Sequence, residues 1–259
     1  GVHRDREGRR MKANEIRICG LAAVRARFRR DASSIVRLYF DHATSKRVGV
    51  MCRTLAAARK VYRCVEPAEL EKIADSVHHG GIVAVVEEGP ARTPSPTDVA
   101  AWARRHEDLV VLDRIGNAHN LGAIARTAGY FGVPRMVISG DAASARPGMA
   151  AYRVAEGGLE ALEIWTVPET APFLRMLSAA GYDVVGAASR GGAARIPAAG
   201  RAGPWALVLG NEEHGLAEDA RAACTRLVTV AGRGLVESLN VSVAAAIIIH
   251  ALGTRGRRS

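Results

Sequence analysis

No C-x-x-C pair occurs in this sequence, and its four cysteines, Cys19, Cys52, Cys64 and Cys224, stand far apart. That spacing argues against both a zinc ribbon and a disulfide framework, and points to a reduced chain. Long apolar runs are lacking too: the longest, Val241–Ile249 with Ser242 its one polar residue, falls far short of the ~20 residues that span a bilayer. Residues 1–15 are strongly polar, without the apolar stretch of a secretory signal, so a cytoplasmic protein is expected. Aromatic residues amount to only 5%, leaving few rings on which unpaired bases could stack. The candidates Phe28, Tyr39 and Phe40 read as core, which argues against a single nucleic-acid strand bound by stacking.

What is present suits a globular protein, with 48% hydrophobic and 24% charged residues in 259, enough for one large domain or two. Acidic residues are scarce in one region only. Residues 1–60 hold 16 Lys and Arg against 5 Asp and Glu, while the rest hold 20 against 21. The excess positive charge is therefore N-terminal, as a phosphate-rich partner requires. A solubilising basic tail accounts for residues 1–12, but not for the arginines inside patterned sequence beyond them.

Residues 1–15 show no apolar periodicity and read as a disordered basic tail. From Ile16 the pattern alternates: a strand end and an amphipathic helix (ICGLAAVRARFRR), a strand (35–40), a basic helix (45–60), a strand (61–65), a helix opening on Pro67, and a strand at Ile82–Val86. Over 16–88 this predicts a small α/β/α domain. Residues 89–106, rich in Pro, Gly, Ser and Thr at their start, read as a linker. From 107 to 259, six or so hydrophobic strands alternate with helices, the pattern of a mostly parallel sheet covered on both faces. Its last helix, from Val241, is apolar nearly all round and is expected to be deeply buried, with Ser238 or Asn240 as its cap.

Ligands in parallel sheets bind where strands end, and three unusual loops follow strands here. The first is Asn117-Ala118-His119-Asn120-Leu121-Gly122-Ala123-Ile124-Ala125-Arg126-Thr127, with Asn120 placed to cap a helix and Arg126 six residues on. Taken alone it fits a capped helix with a solvent-facing arginine. The second, Leu209-Gly210-Asn211-Glu212-Glu213-His214-Gly215-Leu216, sets paired acids between glycines, without the spaced His and Asp partners of a metal site. The third runs from Val230 through Gly232 and Gly234 to Glu237, Ser238, Leu239 and Asn240.

In that order, N-x-G-A-I-x-R-T, G-N-E-x-x-G-L and G-x-x-E-S-L-N-V-S-V-A resemble the three motifs of the SpoU family, RNA 2′-O-ribose methyltransferases of the SPOUT class. The resemblance covers residues 108–252, and 16–86 look like the substrate-binding domain many SpoU enzymes carry in front. It implies a C-terminal α/β knot with a deep trefoil, a homodimer whose active sites form across the subunit interface, and S-adenosylmethionine wrapped by the loops at 209–216 and 230–240. It also implies that Asn120, Arg126, Glu212, Ser238 and Asn240 are catalytic, and that Leu209, Gly210, Asn211, Val230, Gly232, Gly234, Ser238 and Leu239 hold the cofactor. No metal is implied, because the methyl group arrives activated on sulfur. The family usually has proline shortly after the third motif's strand, where this chain has Ala231.

An arginine is an awkward general base, because its pKa exceeds ~12. Arg126 therefore has two possible roles: clamping the target phosphate while stabilising the developing alkoxide, or losing its proton in a desolvated pocket. Arg25, Arg29, Arg30, Lys46, Arg47, Arg53, Arg59 and Lys60 are the candidate phosphate contacts, which give affinity without sequence information. The RNA is ribosomal or transfer RNA, with the front domain favouring ribosomal. The competing reading is a non-catalytic RNA-binding or ribosome-assembly factor that keeps the knot. A Rossmann enzyme is disfavoured, since G-x-G-x-x-G after an early strand is missing.

Overall fold

The computed structural model describes residues 12, 14–189, 194–195, 203–233 and 235–253. The expectation for the N-terminal tail falls largely on residues 1–11 and 13, outside the described residues.

The first unit runs β1 (Glu15–Cys19), α1 (Leu21–Asp31), β2 (Ile35–Phe40), α2 (His42–Ser45), α3 (Gly49–Ala57), β3 (Val61–Cys64), α4 (Pro67–Ala74) and β4 (Ile82–Glu87). Its four strands lie in the order β1-β4-β2-β3, with only the β2–β3 pair parallel. The basic helix expected over 45–60 is confined to α3 (Gly49–Ala57), and the separate short helix α2 ends at Ser45, so two helices follow one another here. The Asp41 carboxylate caps the first by accepting from the Thr44 N–H at 2.7 Å. Val48 (φ −119°) then leaves helical geometry, its side chain 1% exposed, before α3 begins. Burying Val48 outweighs the helix propensity of the flanking residues. Tyr39 and Phe40 are in the core, and Phe28 packs against it.

The second unit runs α5 (Pro96–Arg104), β5 (Leu109–Asp113), α6 (Ala118–Tyr130), β6 (Arg135–Ser139), α7 (Met149–Ala155), β7 (Glu163–Val167), α8 (Thr170–Ala179), β8 (Asp183–Ala187), β9 (Ala194–Arg195), β10 (Trp205–Gly210), α9 (Glu218–Ala223), β11 (Arg226–Thr229) and α10 (Val241–Gly253). Part of the stretch read as a linker is thus helix α5. Ser95 and Asp98 form a reciprocal capping box at its start, and Val99 and Trp102 bury its inner face.

Seven parallel strands in the order β7-β6-β5-β10-β8-β11-β9 make the second sheet. Alternation along the strands feeds two cores. Val110, Leu112, Leu207 and Leu209 face α6, α7 and α10, whereas Leu109, Val111, Ala206 and Val208 face α5, α8 and α9. Because the strands are parallel, the loops after β5, β10 and β11 all leave one edge. The order also forces a crossing: β11 lies beyond β8, yet α10 returns to pack on α6 and β10. Only Ala245, Ile248, Ile249 and Leu252 of α10 are buried, while Val243 is 48% and Ile247 39% exposed. The expectation of a deeply buried helix is corrected here: an all-round apolar composition left one apolar face uncovered in the single chain.

The two units share a core, since one hydrophobic cluster includes Ile18, Val24 and Leu38 of the first with Leu121, Tyr152 and Ile248 of the second. Arg27, on α1, is the polar pin of this seam. Its Nε donates to Glu160 at 2.9 Å, its Nη2 to the Tyr152 hydroxyl at 3.1 Å and to Glu88 at 2.5 Å. Arg30 donates to the carbonyls of Leu159, Glu160 and Leu162 at 3.4, 3.1 and 3.0 Å.

Candidate active site

The three loops meet in one chain of polar contacts. Glu212, just after β10, accepts from the backbone N–H groups of Gly116 (3.1 Å) and Asn117 (3.0 Å) and from Asn120 Nδ2 at 3.0 Å. Asn120 Oδ1 in turn accepts from Asn240 Nδ2 at 3.1 Å. Asn240 Oδ1 accepts from the Ser242 N–H (2.8 Å) and hydroxyl (2.6 Å) at the start of α10. Sequence separations of 92 and 120 residues close within this single network.

Local chemistry explains each placement. Asn117, in extended conformation (φ −94°, ψ 119°), caps α6 by accepting from His119 and Asn120. The expectation that Asn120 is the cap is therefore corrected. The helix starts earlier, at Ala118, which puts Asn120 in the first turn with its amide turned outward to Glu212 and Asn240. Asn240, not Ser238, is the residue that bonds the head of α10. Asn211 holds its own loop: its Nδ2 donates to the Arg114 carbonyl at 2.9 Å, and its Oδ1 accepts from the N–H groups of Glu213 and His214. Asp113, at the end of β5, anchors the far side of the same loop by accepting from the Ala217 N–H at 2.9 Å and the Thr170 hydroxyl at 2.8 Å. The sequence had not marked Asp113, Asn117 or Gly116. Asn117 alone carried a signal, an Asn one residue before the helix start.

Electrostatics fix the state of Glu212. Desolvation pushes its carboxyl up, but the bonds from Asn120 and from the Gly116 and Asn117 amides outweigh it and hold it below the usual carboxylate range. Glu212 is then an anion at neutral pH and an acceptor only, suited to orienting Asn120 and unsuited to taking a proton from a hydroxyl.

The residues expected around a cofactor line the same edge. Leu209 and Gly210 end β10, both buried, and a methyl group on Gly210 would lie 2.2 Å from the Gly215 carbonyl carbon. Glycine is required by that close approach of two backbone segments. Val230 is half-buried behind β11, and Gly232, Ser238 and Leu239 are exposed in the third loop; Gly234 lies outside the described residues. Leu235 and Val236, in the same third loop, are 93% and 78% exposed, apolar groups of the kind that a ligand or partner covers. A backbone cradle without charged side chains, next to exposed apolar groups, fits a nucleoside-bearing cofactor.

Arg126 is not in the network. It is exposed on α6 and pairs with Glu156 at 3.0 Å. Its helix neighbour one turn on is Tyr130, 84% exposed. Of the expected phosphate contacts, Arg29, Lys46, Arg47, Arg53 and Arg59 are exposed. Arg25 donates to the Arg47 carbonyl, Lys60 to the carbonyls of Ser33 and Ile35, and Arg30 is held in the seam between the units.

Comparison with known proteins settles the family. The profile of the SpoU rRNA methylase family matches residues 108–250, and that of the RNA 2′-O ribose methyltransferase substrate-binding domain matches 17–90. The chain belongs to the SpoU family. With membership goes the family's activity, S-adenosylmethionine-dependent methylation of ribose 2′-hydroxyls in RNA. The uncharacterized tRNA/rRNA methyltransferase YfiF of Escherichia coli O157:H7 is 34% identical over 93% of this chain and 68% of its own length. The 23S rRNA (guanosine-2′-O-)-methyltransferase RlmB of Pectobacterium atrosepticum is 31% identical over 92% of this chain and 98% of its own. AviRb of Streptomyces viridochromogenes, solved with S-adenosylmethionine, superposes with a TM-score of 0.75 over 95% of this chain and 92% of its own, at 22% identity. The C-terminal unit is thus the SpoU α/β knot, and the crossing of α10 back over the sheet is its expression in the strand order.

Proposed function

We propose that this SpoU chain works in the cytoplasm as a homodimer that methylates a ribose in structured ribosomal RNA. In this reading Asn120, Glu212 and Asn240 form the polar floor of the site, and the N-terminal unit supplies the RNA grip. The observation that carries it is the Glu212–Asn120–Asn240 network, which ties the three motif loops together at the strand ends where ligands of parallel sheets bind. An assembly factor with no chemistry to perform has no need of that network.

Residues of the chain divide the work as follows. Leu209, Gly210, Val230, Gly232 and Leu239 hold the cofactor mainly through backbone groups, and Asn211 sets the shape of its loop. S-adenosylmethionine, when bound, supplies a methyl group already activated on a sulfonium. Glu212, fixed as an anion, orients the Asn120 amide, and Asn120 and Asn240 align the nucleophile for in-line attack, an effect that reaches ~7–11 kcal/mol in favourable cases. Ser238 stands in the same loop as a further hydroxyl donor. Arg126 clamps a phosphate and stabilises the alkoxide as the hydroxyl proton passes to solvent water, while the methyl group moves from the sulfonium to the ribose oxygen and leaves a neutral thioether. It lies outside its own chain's network, and it shares a helix face with Tyr130, beside the uncovered apolar groups Phe131, Val243 and Ile247. A partner packed on that face would receive Arg126 in its site. Arg25, Arg29, Lys46, Arg47, Arg53 and Arg59 make the phosphate contacts. Arg30, held by three carbonyls in the seam, and Lys60, held by two, serve the fold instead, whereas Arg25 donates to one carbonyl only.

The test is methylation of an unmodified 23S rRNA transcript with labelled S-adenosylmethionine. Label recovered in an alkali-resistant dinucleotide, and reduced ~10²-fold or more by Arg126→Ala, supports the reading. Label on a base, or none with folded enzyme and intact 30S and 50S precursors also supplied, refutes it.

A further inference from the structure

Five residues outside all three motifs, Glu156-Gly157-Gly158-Leu159-Glu160, touch both working parts of the molecule. Two of them seat the N-terminal unit. Glu160 receives Arg27 at 2.9 Å and lies 3.6 Å from Arg30. Gly157 (φ +96°) faces α1 so closely that a methyl group on it would lie 3.0 Å from the Ala26 Cβ. Two others seat α6 at Arg126. Glu156 pairs with the Arg126 guanidinium at 3.0 Å, and a methyl group on Gly158 would lie 2.5 Å from the Arg126 Cα and 2.7 Å from its backbone nitrogen. Glu156 is itself unusual, a non-glycine residue in the left-handed region (φ 45°, ψ 42°) where α7 ends. Glycine or asparagine would sit there with less strain, and the carboxylate that Glu156 adds is the one that meets Arg126.

The geometry points to a positioning role: residues 156–160 form a corner that places Arg126 relative to the RNA-binding face of the N-terminal unit, with the close Gly158 contact setting its backbone and the solvent-exposed Glu156 pair biasing its side chain. Glu156 is a positioning residue for Arg126, and Glu160 is one for the N-terminal unit. The inference rests on the assignment of Arg126 to the methyl-transfer site. Two seats on one short segment mean that a shift of the N-terminal unit moves the arginine, so the distance from gripped RNA to reacting ribose is set here. Small misplacements of this kind reduce turnover without abolishing binding.

The full chain, an unmodified 23S rRNA transcript and labelled S-adenosylmethionine supply the test. Glu156→Gln is expected to lower kcat about tenfold with both KM values within about twofold, and Glu156→Asp to recover part of the loss. Glu160→Gln is expected to raise the KM for RNA and lower kcat together. Unchanged kcat in Glu156→Gln overturns the proposal, as does loss of cofactor binding in that variant, which would mark the corner as a support of the fold. Arg126→Ala separates the two levels. If it stays fully active, the assignment of Arg126 fails. If it is inactive beside a fully active Glu156→Gln, only the corner fails. Hydrogen exchange of the RNA-free protein asks the same question without turnover. Glu160→Gln should hasten exchange at residues 125–129 of α6 as well as in α1 and 156–162; exchange confined to α1 and 156–162 contradicts the coupling.

Discussion

Glu160 and Glu212 each accept bonds from residues about a hundred positions away, in two regions with opposite surroundings. In the seam between the units the Glu160 side chain is 3% exposed, and its arginine partner Arg27 is 10% exposed. At the sheet edge Glu212 is exposed, and its partners are amides. A buried charge with a guanidinium partner makes a static joint, because removing either side strands the other in a poor solvent for ions. A carboxylate in an open loop, satisfied by neutral donors, holds side chains in place yet leaves them reachable by substrate. The same residue type thus builds a hinge pin in one place and a reaction floor in the other, and burial decides which.

The largest effect should come from the seam. Arg27→Ala leaves Glu160 buried without its main partner and should cost about 3–5 kcal/mol in denaturant unfolding; a cost under ~1 kcal/mol would mean that the seam behaves like a surface contact. Gly210→Ala comes next. Its methyl group would meet the Gly215 carbonyl carbon at 2.2 Å, so stability should fall by about 1–3 kcal/mol, together with affinity for S-adenosylmethionine. Asn120→Ala sharpens the contrast from the other side. Its network is exposed, so stability should change by less than ~1 kcal/mol, while methyl transfer falls about 10²-fold; a large stability loss with intact turnover would reverse the two roles. The last effect is electrostatic and confined to a pH window. Burial pushes Asp108 up to about 6, against a bond from the Trp205 N–H. Its folded pKa exceeds its unfolded value, so its contribution to stability is full below pH ~4 and is lost as pH rises to ~6. Asp108→Asn keeps the acceptor and should remove that window, gaining up to about 3 kcal/mol above pH ~6 relative to the parent, since a rise of about two units is worth that much.

How much of this was legible in the sequence follows from range. The motif loops are read locally: Glu212 stands just past a strand and Asn120 and Asn240 at the heads of the helices that follow strands, each in a distinctive string, and strand ends of one parallel sheet must share an edge. The strands Arg135–Ser139, Glu163–Val167 and Trp205–Gly210 each coincide with a short, mostly apolar run of the sequence. Arg27 was illegible because it is one of four arginines in LAAVRARFRR, and nothing near it indicates that its partner lies 133 residues on. Glu156 and Gly158 were missed for the same reason, their meaning being contact with α6. The cap of α6 was misplaced by three residues since both Asn117 and Asn120 have the short oxygen a cap needs, and only backbone geometry chooses between them. The exposure of α10 was misjudged because apolar composition does not tell whether a helix is covered by its own chain or by another.

Calorimetric titration of the purified chain with S-adenosylmethionine, beside Asn240→Ala, addresses the three-loop site most directly. Asn240 bonds both Asn120 and the head of α10, so its loss should loosen the third loop. One site per chain in the parent, with affinity at least ~tenfold weaker in the variant, about 1.4 kcal/mol, is the expected result. Equal affinity in the two proteins, or no binding by a folded parent, would contradict a cofactor site built on these three loops.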